Sequence, residues 1–171
     1  MSNDPPPTRP ELSDSRLGAL YEYWERKRGP RRMPTRADLD PIEMQAWLGN
    51  LLLIDVHGDN GFVYRLYGTA FVDSFGIDMT GHNVDELPAE QRDRVRADYE
   101  AVRVSGQPRA RLYTALFEAT TSGLRPPPKS AVRTPQVVTW ERLVLPLAGT
   151  GENVAMLLVG AYPLPDLHPS T

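Results

Sequence analysis

The segment Tyr64 to Gly81, YRLYGTAFVDSFGIDMTG, constrains the fold of this chain more than any other. An alternating run leads into Gly68 and Thr69, a short apolar helix follows, and Gly76 stops it. Thr69 is expected to be the N-cap, its hydroxyl accepting from a free amide of the next turn. Gly76 is expected to take the left-handed conformation that closes a helix. A switch of this kind carries the chain from a sheet onto one of its faces, where it builds the wall of a small cavity.

The flanking residues supply the sheet. Leu51 to Val56 is a dense apolar strand, and Phe62 to Tyr67 is its antiparallel partner, because Asn60-Gly61 tolerates the positive φ of a tight hairpin. Asp40, Pro41 and Glu43 signal the start of a short helix ended by Gly49. A longer helix runs from Ala89 to Ser105, with Val95, Tyr99 and Val102 as its buried stripe. Arg111 to Ala119, Val137 to Leu147 and Val154 to Ala161 read as three more strands. Leu143, Leu145 and Leu147 share one face, and Pro146 marks a bulge or an unpaired edge. Thr121 to Pro135, with Pro126, Pro127, Pro128 and Pro135, reads as a long mobile loop. The order describes an α+β domain over 31–163: five antiparallel strands with helices on one sheet face. A disordered leader over 1–14 and an N-terminal amphipathic helix over 15–30 precede it, and a tail over 164–171 follows.

In the leading helix Leu17, Leu20, Tyr21 and Trp24 fall at i, i+3, i+4 and i+7. The stripe can cover its own domain or pair with a second subunit, and a homodimer through this helix is the expectation. Arg26, Lys27, Arg28, Arg31, Arg32 and Arg36 form a basic run at its end. No aromatic residues interleave that run and the chain carries a net charge of -3, so cations set against the negative end of a helix dipole explain it better than nucleic acid does. With 171 residues, 40% of them hydrophobic, the chain can bury one proper core. The absence of cysteine excludes disulfides, thiolate metal sites and Cys nucleophiles. No secretory pattern and no membrane-length apolar run is found, so a cytoplasmic setting away from membranes is expected.

Here the residues resemble a known family, the PAS domains, and within it the single-domain alphaproteobacterial group labelled PAS_5. The resemblance runs from about Tyr23 to Tyr162. Its carriers are Trp24, Arg28 and Gly29; Met33, Pro34, Arg36, Asp38, Asp40 and Pro41; Leu53 to Val56; Tyr64, Arg65, Leu66, Gly68, Thr69, Phe75, Gly76, Thr80 and Gly81; and Glu141, Arg142, Leu143, Leu145, Pro146 and Leu147. Thr121 to Pro135 departs from the group by its length. The resemblance implies a sensory or interaction module that binds a small molecule or a protein partner and passes a change through the sheet to flanking helices. Output is then expected through a signalling partner or through self-association.

Leu66, Phe71, Phe75 and Tyr99 are the residues that could line a pocket for a small apolar ligand, against the plainer reading that they fill the core. His82 follows a turn where a haem-binding PAS protein could place an axial ligand, but one histidine at a turn is poor evidence. His57 and His168 show no metal-ligand spacing with it. A covalent flavin site needs the missing cysteine, which leaves the cofactor unknown. The alternative from another class is a small enzyme using buried carboxylates on an organic substrate. Its candidates are Asp73, Asp78, Asp85 and Glu86, residue types that at turns and helix starts act as caps.

Overall fold

The computed structural model describes residues 5–58, 61–117 and 136–165. In chain order the elements are α1 (Ser15–Arg28), β1 (Leu51–Val56), β2 (Phe62–Tyr67), α2 (Thr69–Phe75), α3 (Ala89–Ser105), β3 (Arg109–Phe117), β4 (Gln136–Ala148) and β5 (Val154–Pro163). The strands form one antiparallel sheet in the order β2-β1-β5-β4-β3. Asp59, Asn60 and the Thr121–Pro135 loop lie outside the described residues. Among the described residues no helix is long and apolar enough to cross a membrane.

The sheet is buried on both faces, and period-two alternation sorts its side chains between two cores. Leu51, Leu53, Leu143, Leu145, Leu147 and Leu158 meet α1 on the outer face. Leu52, Ile54, Trp140, Val144, Leu157 and Val159 meet α2 and α3 on the inner face. Two close approaches fix these layers. A Cβ on Gly160 would stand 2.6 Å from Leu20 and 3.0 Å from Leu17, so α1 sits down on a strand position that has no side chain. A Cβ on Gly68 would stand 2.4 Å from the Gly49 carbonyl oxygen. The Gly68 N–H donates to the Leu51 oxygen at 2.9 Å, which ties the start of α2 to the start of β1.

Three local expectations change. Gly68, not Thr69, caps α2, because Thr69 is already inside the first turn and the backbone contact at Gly68 admits no side chain. Gly76 closes that helix at φ 75°, as expected. Asp40 does cap a turn, accepting from the Ile42 N–H at 2.8 Å, but residues 41–47 continue as turns and not as an α-helix. The acid three residues on does not reach back: Glu43 accepts from the Tyr23 hydroxyl at 3.0 Å and pairs with Lys27 at 2.7 Å, a tertiary use that outcompetes the capping box. The third change is in β2. Register shifts between Leu53 and Ile54, so that Ile54 pairs with Tyr64 and Leu53 with Leu66. The extra residue, Arg65, is a β-bulge, and it turns Leu66 outward and Tyr67 inward.

Residues 8–14, read from sequence as part of a disordered leader, lie along the outer face. The Thr8 N–H donates to Gln107, and the Ser13 and Asp14 N–H groups donate to the Glu141 carboxylate at 2.8 to 3.0 Å. Pro146 falls past the end of β3, whose pairing with β4 stops at Val144. Its missing N–H therefore costs that ladder nothing.

Candidate functional site

The inner face carries the candidate site. Phe71 and Phe75, one turn apart on α2, point to the same side of that helix. They converge on Trp140 of β4, with ring centroids 5.7 Å and 5.9 Å away. Tyr64 and Tyr67 of β2 close a second wall, their rings edge to face at 5.2 Å, and Tyr67 reaches Phe71 at 5.6 Å. Tyr99 of α3 stands against Phe62 at 5.6 Å and forms the floor. Tyr64, Tyr67, Phe71, Tyr99 and Trp140, with Leu52, Val95, Tyr113 and Arg142, line a cavity of about 40 Å³. Half-buried Phe75 and Gln91 also line it. Its volume is well below the hundreds of Å³ of a drug-sized site, because the aromatic rings occupy most of the space between sheet and helices.

Of the four predicted lining residues, Phe71, Phe75 and Tyr99 line this cavity. Leu66 does not: the bulge at Arg65 puts it on the other side of β2, 38% exposed. Tyr67 takes the place that simple alternation would give Leu66. The stripe Leu17, Leu20, Tyr21 and Trp24 is buried against the chain's own sheet, and the Trp24 indole donates to the Pro146 carbonyl at 2.9 Å. It acts as a cover within one protomer, so a second subunit would have to meet another surface of the helix.

The electrostatics of the site come from residues that no short motif announces. Asp98 of α3 is 1% exposed and shared by three guanidiniums. Arg142 Nη2 lies 2.5 Å from one carboxylate oxygen, and Arg109 and Arg111 lie 3.0 and 3.2 Å from the other. Asp98 stands three residues after Val95 and four before Val102, which is the signal that could have placed it on the buried stripe. The Arg142 guanidinium also lies over the Tyr99 and Tyr113 rings, 5.8 and 5.5 Å from their centroids. Arg142 and Trp140 both line the cavity, and both hold a buried donor with no partner, Arg142 Nε–H and Trp140 Nε1–H. Burial pushes the Tyr64 phenol far above its ordinary range, with the facing Tyr99 hydroxyl adding to the effect. Burial likewise raises Tyr67, so both stay neutral donors at physiological pH.

The carboxylates considered for acid-base chemistry lie elsewhere. Asp73, Asp78, Asp85 and Glu86 are exposed. Asp78 accepts from Thr80, Asp85 pairs with Arg96, and Glu86 caps a turn while facing His82 at 3.2 Å. Among the described residues no cluster of three metal-ligating side chains occurs, and His168 falls outside them. The basic run is spent internally: Arg31 donates to the Lys27 and Arg28 carbonyls at the end of α1 and pairs with Asp38, and Arg28 pairs with Glu25. A larger groove of about 940 Å³ runs between residues 9–13 and β3, but it is an open trough on the outer face.

No curated protein matches the sequence. Among solved structures, the light state of the blue-light photoreceptor Aureochrome1 LOV is 14% identical with a TM-score of 0.44, over 72% of this chain and 88% of that one. A PAS domain from Colwellia psychrerythraea is 8% identical at 0.44, over 73% and 98%. A sensory box sensor histidine kinase from Vibrio cholerae is 15% identical at 0.44, over 88% and 96%. The model of the PAS domain family labelled PAS_5 matches residues 13–162, which takes in α1, the cavity and the sheet up to Tyr162, short of the last residue of β5. The five-stranded antiparallel sheet, its helical inner cover and that match agree, and this chain belongs to the PAS domain family.

Proposed function

We propose that this chain is a non-catalytic sensory module whose input is occupancy of the inner cavity and whose output passes through the sheet to α1 and the strap over residues 8–14. PAS domains are sensory folds in general. The observation that carries the reading for this chain is the aromatic cavity, in whose walls two buried donors, on Trp140 and Arg142, have no partner. Each unsatisfied group costs about 1–3 kcal/mol, so a bound acceptor that met these two donors would be favoured there. The route outward is short. Trp140 and Arg142 flank Glu141 on β4, and Glu141, on the opposite face, holds the Ser13 and Asp14 amides at the entry to α1. A change in the cavity that moves β4 therefore acts directly on the start of that helix.

The test is native mass spectrometry of the full chain purified from its own host, paired with hydrogen exchange of α1 before and after the bound species is removed. Retention of a small molecule or a protein, with altered protection at Ser13 to Gly18, is the expected result. Protein that carries nothing and shows the same protection under every condition would overturn the proposal.

A further inference from the structure

We propose that the inner cavity is built for a short carboxylate, an acid of two or three carbons, held by its oxygens at Trp140 and Arg142 with its hydrocarbon end toward Phe71 and Phe75. This deepens, and rests on, the reading of the cavity as a sensory site. Three observations carry it. Three polar atoms of lining residues are buried without partners, Trp140 Nε1–H, Arg142 Nε–H and the Tyr99 hydroxyl; the first two can only donate and the third can donate, so an acceptor is the one group that serves all three. Charge selects an anion among acceptors. One carboxylate, Asp98, is shared by Arg109, Arg111 and Arg142, and this leaves an excess of positive charge in the wall to which Arg142 belongs. No Asp or Glu is among the lining residues to repel such a guest.

Size and surroundings set the rest of the molecule. A cavity of about 40 Å³ holds roughly three water-sized centres, at about 10–15 Å³ each. That fits a carboxylate with a very short chain and excludes an aromatic or nucleotide-sized ligand in this conformation. The remainder of the wall is Leu52, Val95, Ala161 and aromatic rings, with Gln91 as its one amide, and the apolar part suits one hydrocarbon end. Water alone would satisfy the two donors but would gain nothing from the positive charge or the apolar wall.

The experiment uses the full chain labelled with ¹⁵N, in which three tryptophans give three indole resonances and Trp140→Phe identifies the relevant one. Acetate and propionate are titrated against propionamide, which matches propionate in shape and lacks its charge. The expected result is a saturable shift of the Trp140 indole and Arg142 Nε–H resonances with the carboxylates, and affinity for propionamide at least tenfold weaker. In Trp140→Phe, the Arg142 resonance should report at least tenfold weaker propionate binding. The wild-type comparison of acid with amide stands even where that variant folds poorly. Equal affinity for acid and amide, or amide binding without acid binding, refutes the carboxylate while leaving a sensory cavity in place. No saturable shift with any probe up to about 100 mM, together with an empty protein in native mass spectra, refutes both.

Discussion

Replacing Asp98 by Asn tests whether the charged cluster beside the cavity is held by burial or is merely a surface ion pair. Asp98 is 1% exposed and the Arg142 side chain 7%, whereas the Arg109 and Arg111 side chains are 41% and 45% exposed. Removing one member of a buried pair costs about 3–5 kcal/mol, since the other charge is left in a poorly solvated site. Half-exposed pairs contribute about 0–1 kcal/mol each. Asn still offers one acceptor oxygen, which sets the expectation for Asp98→Asn at about 3 kcal/mol, the low end of the buried range. For a domain of this size that is a fall in Tm of about 6–12 °C. Urea unfolding followed by Trp fluorescence measures it, with the midpoint moving and the slope unchanged. Arg109→Gln and Arg111→Gln should each stay within about 1 kcal/mol. The double replacement Asp98→Leu with Arg142→Met should recover most of the loss, because both charges leave together. A cost below about 1 kcal/mol for Asp98→Asn, or an equal cost for Arg111→Gln, would refute the reasoning.

Gly68→Ala forces a methyl group to 2.4 Å from the Gly49 oxygen, with backbone on both sides. A loss of about 1–3 kcal/mol in chemical unfolding is expected. Phe71→Ala should cost about 3–5 kcal/mol and Leu66→Ala much less, although one sequence pattern places both in a pocket; comparable losses would refute the bulge at Arg65. Arg31 and the Thr35 amide hold the Asp38 carboxyl down to about 2. Because the folded pKa is the lower one, this contribution is complete above about pH 4 and is lost as pH falls toward 2. Asp38→Asn should therefore flatten the acid limb of a Tm-against-pH series in that window, and an unchanged limb would count against the pairing.

Much of this fold was legible in the residues because it is written in local chemistry. Leu51–Val56 and Phe62–Tyr67 announce themselves by apolar runs around Asn60-Gly61, and Ala89 to Ser105 by its period and by Gly106. For Phe71, Phe75 and Tyr99 helical spacing sets which side chains share a face, but pocket lining and core filling read alike in the residues. Where several local readings were open, tertiary partners decided. Glu43 suits a capping box equally well, until Tyr23 and Lys27 arrive from α1.

What the sequence by itself determined is the five strands, the first hairpin and the helices over 15–28, 69–75 and 89–105, since periodicity and turn chemistry act within a few residues; the helix expected after Asp40 is not among them. Only the tertiary structure decided that α1 lies on its own sheet, that Leu66 turns outward, and that Asp98, Arg142 and Trp140 meet beside the cavity. Those outcomes depend on register and on charge pairs between residues as far apart as Asp98 and Arg142, and no local pattern in the chain encodes such distances.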